Sequence, residues 1–363
     1  MRVHQICARL QFGDAVTGQV LRIHETVKSW GWESHVYTTA HDERMAPLDE
    51  GLKAYRGEYL RRKDDLLLYH LSVYDENHRL YLESRNRKVL VYHNITPPEF
   101  LEPYDPHLAE VCRRGRELLP ALRDCDLALG DSEYNRRELA AAGFPEERTG
   151  VLPIFVDLEA LGGEYNRPLL RELDDGRVNV LFVGRLVPNK RVEDLIDVFA
   201  AYHRGVNAHS RLLLVGTSWS VTYNAELARR VRRHGLQGCV SIPGWSWGVS
   251  DEDLRAYYRA ARVFVTCSLH EGFCVPLLES MFFRVPVLAR HAAAIPFTLG
   301  GAGMTFRELD PPLLAEAVEE LAFNRELREE LAERGRRRLE EFHPEKTARR
   351  LRSFLEGVAG SRP

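Results

Sequence analysis

The sequence lacks any apolar run close to the roughly 18 uncharged residues that a membrane helix requires, which excludes an α-helical membrane span. It also lacks the long apolar stretch of a signal peptide. The opening Met1-Arg2-Val3-His4-Gln5-Ile6 reads as a first strand, so a cytoplasmic protein is expected. Cysteine is sparse: Cys7, Cys112, Cys125, Cys239, Cys267 and Cys274 are scattered with no Cys-x-x-Cys pair. That spacing suggests neither a disulfide framework nor a zinc site, and reduced packing thiols are expected, with no metal site. Short-period repeats and low-complexity tracts are missing as well. So is the concentrated basic stripe that nucleic-acid binding demands, and no nucleic-acid partner is expected.

What is present is ordinary globular material. Of 363 residues, 44% are hydrophobic and 28% charged, enough to bury two sheets in a chain too long for one ordinary core. The formal charge of −3 divides unevenly, with −7 over residues 1–165 and +4 over the rest, so the second half is the better place to hold an anion. Short strand-like runs alternate with helical patterns, the signature of an α/β fold with doubly wound parallel sheets. Strands are expected at 3–10, 35–39, 66–71, 89–94, 127–130 and 150–154, then afresh at 178–183, 211–215, 239–242 and 263–267. Helices are expected at 19–30, 108–122, 133–142, 192–203, 224–234, 251–260, 313–323 and 326–341, with a last amphipathic one at 347–356. A composition shift at 161–168 divides a first domain, 1–165, from a second, 166–344, and His343-Pro344 breaks the chain before a tail, 345–363. Ligands of such sheets bind beyond the carboxyl ends of the strands, so chemistry is sought there.

After the strand 263–267 comes Ser268-Leu269-His270-Glu271-Gly272-Phe273-Cys274-Val275-Pro276-Leu277-Leu278-Glu279. Gly272 permits close approach of the backbone to a ligand, and Pro276 suits a first helical position, which places Glu279 in the first turn. Two carboxylates and a helix N-terminus can hold sugar or ribose hydroxyls and a phosphate. The plain structural account would leave Glu271 solvated and have Glu279 complement the helix dipole. At the end of the strand 178–183, Gly184-Arg185-Leu186-Val187-Pro188-Asn189-Lys190 offers two cations on one loop, suited to charge that builds on a diphosphate leaving group. In the first half, Gln11-Phe12-Gly13-Asp14-Ala15-Val16 joins the first strand to the first helix, where backbone N–H groups at Gly13 can meet phosphate. His93 ends the run Leu90-Val91-Tyr92-His93-Asn94, while His70 ends a neighbouring strand and reads as core. Ser132 reads as a helix N-cap.

The run from Glu271 to Glu279 resembles the Glu-Gly-Phe-x-x-Pro-x-x-Glu signature of retaining GT-B glycosyltransferases of family 4 (group 1), and the Gly184–Lys190 loop is similar to that family's Gly-Arg-x-x-x-x-Lys loop. The resemblance, which covers nearly the whole chain, implies a GT-B fold of two Rossmann-like domains facing a central cleft, the first on the acceptor side and the second on the donor side. The final helix would cross back to the first domain. It implies His93 and Glu271 as catalytic contacts on the donor sugar. Gly13, Arg185, Lys190, Gly272 and Phe273 would bind the diphosphate, and Glu279 and Val275 the ribose and base. Some positions depart from the family pattern: Phe12 stands where a second glycine is usual, Ile154 and Phe155 where Asn-Gly is common, Arg284 where a glycine is usual, and Phe297 where a glutamate is common. Trp245 and Trp247 enlarge a loop and suit either a base or sugar pocket or surface packing.

The implied activity is retaining, metal-independent transfer of a hexosyl unit, with no cofactor beyond the nucleoside-diphosphate sugar as co-substrate. GDP- and UDP-sugars both fit, with a mannosyltransferase-like flavour. The acceptor would be a hydroxyl of a glycan, a lipid-linked glycan or a small molecule. Arg61-Arg62-Lys63 is a candidate for weak membrane association, against which stand Glu58, Asp64 and Asp65. The alternatives are a nucleotide-sugar epimerase of the same architecture and a non-catalytic nucleotide-sugar binding protein.

Overall fold

The protein is described by a computed structural model covering residues Met1–Gly360. The chain divides into two compact units. The first is built from residues 1–102 and 106–156 together with the C-terminal segment from Phe342, and the second from residues 157–341 with Pro103–Asp105.

The first unit holds one parallel sheet of strands β1 (Arg2–Leu10), β2 (Glu33–His41), β3 (Leu66–Leu71), β4 (Arg87–Tyr92), β5 (Leu127–Gly130) and β6 (Thr149–Val151), in the order β2-β1-β3-β4-β5-β6. Every residue of β3 is buried, as expected of a central parallel strand covered on both faces. The core of this unit is continuous through Val3, Leu66, Val89 and Leu129 to Leu351, Leu355 and Val358 of the last helix, Pro344–Gly360. The Phe354 ring of that helix closes over Gly150, where a Cβ would come within 2.7 Å of it.

The second unit holds β7 (Val178–Val183), β8 (Ser210–Val215), β9 (Val240–Ser241), β10 (Val263–Thr266), β11 (Val287–Arg290) and β12 (Met304–Phe306), in the order β12-β11-β10-β7-β8-β9, again all parallel. The strands β11 and β12 are not anticipated from the sequence: they span four and three residues, too short for a recognisable alternation. Residues 157–165, assigned by composition to the first domain, lie in the second unit. They are tied there by Arg255, whose guanidinium bonds the Ala160 and Glu164 carbonyls.

Candidate active site

In the second unit the strand order reverses between β7 and β10, which pair directly with Val263 opposite Val180. Open α/β sheets bind ligands outside the carboxyl ends of the strands at such a switch point. The loop leaving β7 carries Arg185 and Lys190, and the loop leaving β10 carries Glu271, Gly272 and Phe273. The two loops are stitched together by Asn189, whose carbonyl accepts from the Leu269 N–H and whose Nδ2 donates to the His270 carbonyl, both at 2.9 Å. Across this seam Lys190 Nζ donates to Glu271 Oε1 at 2.7 Å, and both side chains are largely buried. Burial works against the Lys190 ammonium, but the charge of Glu271 holds it above its ordinary range; Arg185, exposed on the same loop, opposes.

The β7 loop can lie this low only because of one glycine. A Cβ on Gly216, at the exit of β8 with φ 153°, would stand 2.1 Å from the Gly184 carbonyl oxygen. An ion-pair network lies close by: Arg191 pairs with Glu193 and Asp194, and Arg290 reaches Asp194 at 3.3 Å.

Behind Glu271, Cys274 adopts the left-handed conformation, φ 71°, and starts the helix Val275–Phe282. The helix therefore begins at Val275, one residue before Pro276, and Glu279 lies past the first turn, not within it as the sequence suggested. Tyr258 donates its hydroxyl to Glu279 Oε2 at 2.6 Å. Burial lifts the Glu279 carboxyl above its ordinary range, with the Tyr258 bond opposing. Burial, reinforced by Glu271, also pushes the Cys274 thiol far up, so it stays protonated. The Phe273 ring is buried and its carbonyl accepts from the Thr298 hydroxyl, so this residue offers backbone only. Arg284 takes φ 57°, the left-handed region that a glycine occupies without strain. Trp247, at the tip of its loop, is 96% exposed.

In the first unit, Gly13 has φ 79° in the loop after β1, and Asp14 caps the following helix, Ala15–Ser29, by accepting from the Val16 and Thr17 N–H groups. His93 follows β4, but its imidazole does not project from the strand end. Nε2 lies 2.8 Å from His70 Nδ1 and Nδ1 lies 3.1 Å from Asp131 Oδ2, and the side chain is 1% exposed. The ring expected to face a sugar is thus held between two buried side chains. His70, read as core, is wholly buried but belongs to this same contact. Ser132 caps the helix Glu133–Ala141 through the Asn135 N–H, as its sequence position suggests.

Of the nine sequence candidates, Arg185, Lys190, Glu271, Gly272 and Phe273 lie on neighbouring strand-end loops of the second unit, Val275 and Glu279 lie on the helix that follows, and Gly13 and His93 belong to the first unit. Asn189, Tyr258, Asp131 and Gln5 were not anticipated. Asn189 sits inside a motif read for its cations, Asp131 inside a run read as a cap, and Tyr258 and Gln5 carry no local signal at all.

Residues 177–324 match the family model for glycosyl transferases group 1. The chain is 28% identical over 262 residues to O-antigen chain mannosyltransferase B of Escherichia coli, a match covering 70% of this chain and 66% of that one. It superposes on sucrose-phosphate synthase from Thermosynechococcus elongatus with a TM-score of 0.77 at 18% identity, covering 99% of both chains. On the Anabaena protein HepE, solved in complex with UDP and glucose, the TM-score is 0.74 at 16% identity, covering 98% of this chain and 100% of that one. Together with the two parallel six-stranded sheets, these likenesses identify the fold as GT-B and residues 177–324 as a glycosyl transferases group 1 domain.

Proposed function

We propose that the protein is a retaining glycosyltransferase that moves a hexosyl unit from a nucleoside-diphosphate sugar to an acceptor hydroxyl, without a metal ion. The observation that carries this reading is the Lys190–Glu271 contact at the switch point, with Arg185 beside it: a cation and a carboxylate fixed 2.7 Å apart on two strand-end loops. Arg185 and Lys190 stabilise negative charge on the departing diphosphate, and they do so most when that charge is fully developed, which is the condition for speeding the reaction. Backbone N–H groups from Gly272 to Val275 approach the same phosphates, and Glu279 takes the ribose hydroxyls. The bond from the anomeric carbon to the phosphate oxygen breaks as the bond to the acceptor oxygen forms on the face being vacated, and the acceptor's proton leaves with the phosphate. Glu271 orients the sugar through its hydroxyls, and Lys190 Nζ, 2.7 Å from Oε1, holds the carboxylate in place.

The donor is a GDP- or UDP-sugar: the Escherichia coli relative is named a mannosyltransferase and the Anabaena structure contains UDP. The test is a thermal-shift screen against GDP, UDP and their sugars, followed by product analysis with the stabilising donor. A nucleoside diphosphate at about 100 times its dissociation constant adds about 2.7 kcal/mol to stability. Glycosylated acceptor plus free nucleotide supports the reading. An epimerised donor, or stabilisation with no conversion, rejects it in favour of an epimerase or a binding protein.

A further inference from the structure

Four side chains from four strands or strand exits of the first unit form one hydrogen-bonded row. Gln5, in β1, donates from Nε2 to the Val20 carbonyl at 3.2 Å, which turns its Oε1 toward His70 Nε2, 3.0 Å away. An amide oxygen only accepts, so His70 carries a proton on Nε2. His70 is wholly buried, and that burial, followed by the charge at His93, holds its pKa well below the ordinary histidine value. It is therefore neutral, with Nδ1 bare. A bare nitrogen 2.8 Å from His93 Nε2 requires a donor there, so His93 carries a proton on Nε2. What remains is His93 Nδ1 facing Asp131 Oδ2 at 3.1 Å, with side chains 1% and 2% exposed. A nitrogen lone pair against a carboxylate oxygen repels in so dry a place, so this contact holds a proton too. The row is electrically neutral as a whole, yet carries one proton more than two neutral imidazoles and a free carboxylate would. The two rings are nearly parallel, 5° between planes with centroids 5.1 Å apart.

We propose that Gln5, His70 and Asp131 are positioning residues that fix the His93 ring and confine one proton to the His93–Asp131 contact. This deepens the transferase reading, on which any part of His93 in turnover rests. The order of protons along the row is independent of it. Both His93 nitrogens are committed before any ligand arrives, and the ring's orientation is set from behind by His70.

The experiment is imidazole nitrogen NMR on the full chain at neutral pH, with the variants His70→Phe, His70→Asn and Asp131→Asn. In the unaltered protein His93 is expected to show a proton on Nε2 and a second proton at Nδ1 shared with Asp131. Asp131→Asn supplies an amide N–H to a bare Nδ1, so His93 should turn into the neutral tautomer protonated on Nε2 alone. His70→Phe removes the acceptor for that Nε2 proton. Where His93 contacts the donor sugar, as the family resemblance implies, this variant is expected to lower kcat by about 10–100-fold, the scale for losing a group that orients a metal-bound histidine, with the donor KM unchanged. His70→Asn, which puts an amide oxygen near the lost Nδ1, should restore most of kcat. A His93 with bare Nε2 in the unaltered protein, or His93 signals indifferent to His70→Phe, overturns the proposal. If His70→Phe fails to fold, the unaltered protein and Asp131→Asn still decide the proton order. Expected spectra with no sugar transfer reject the transferase reading alone, and sugar transfer with a bare Nε2 rejects the row alone.

Discussion

The carboxyl strand ends of the two units solve opposite electrostatic problems. In the second unit, cations and carboxylates come from loops, and the Lys190–Glu271 pair keeps both charges at the switch point while leaving Arg185 exposed beside them. In the first, the polar groups come from β1 and β3 and from the residues just after β4 and β5, and they face one another, so Gln5, His70, His93 and Asp131 form a closed and neutral row. A phosphate is met by groups with charge and exposure to offer. A buried row offers shape and a fixed proton instead. On the proposed function, the affinity for a charged ligand rests with the second unit.

The sharpest way to break that contrast is Glu271→Gln, which retains an acceptor for Lys190 but removes the charge. If the second unit holds the reactive centre, sugar transfer should fall by about 10³-fold, equivalent to about 4 kcal/mol, while melting temperature changes little. Comparable activity in Glu271→Gln would move the centre elsewhere. Next in size is Leu351→Ala in the last helix. Leu351 is fully buried in the core of the first unit, so the variant should lose about 3 kcal/mol of stability. Calorimetry with and without a nucleoside diphosphate checks it. On the proposed function the stabilisation by ligand should survive, because the diphosphate and ribose contacts proposed above lie in the other unit, and its loss would tie the two units' stabilities together.

The difference between the units also governs what the sequence discloses. Arg185 and Lys190 share one loop, as do Glu271 and Glu279 one strand-loop-helix passage, so their chemistry is written in spacings of five and eight residues that survive in one dimension. The row in the first unit joins residues 5, 70, 93 and 131, one from each of four strands or their exits, and no spacing marks it. His70 reads as core because it is core, and only the register of β1 beside β3, with Cys7 opposite His70, brings Gln5 to its ring. The strands β1, β3 and β7 were legible because their apolar runs are long, and β11 and β12 were not because theirs are short. The start of the helix at Val275 escaped for a different reason: Cys274 is a non-glycine residue in a left-handed turn, which sequence gives no warning of.

A smaller effect separates the units by pH. His4, at the amino end of the first sheet, bonds Tyr37 and Asp65, and burial lowers its pKa from 6.5 to about 4. Between those values the unfolded chain binds the proton and the folded one does not. Stability from this group is therefore complete above pH 6.5 and is lost as pH falls toward 4, by at most about 3 kcal/mol. His4→Gln should flatten the acid limb of the unfolding curve over that window, measured by urea titration at stepped pH. An unchanged limb would assign acid sensitivity to other groups.

The smallest expected change is Tyr258→Phe in the second unit, and its sign depends on pH in a way that tests how Glu279 is held. Burial already raises the Glu279 carboxyl, and the Tyr258 hydroxyl is the group opposing that rise. Without the hydroxyl, the ionised carboxylate, which is half-buried, loses a donor that water replaces only in part, at a cost of about 1 kcal/mol. The protonated carboxyl loses less, since it depends less on a donor. A carboxyl whose folded pKa is raised binds more protons folded than unfolded, so its stability contribution falls as pH rises through that interval. Tyr258→Phe extends the interval upward, and the variant should therefore be nearer to the unaltered protein at pH 5 than at pH 8. The same pH order should appear in nucleotide affinity if Glu279 must be ionised to take ribose hydroxyls, whereas a deficit equal at both pH values would mean that Tyr258 serves packing and that Glu279 does not depend on it.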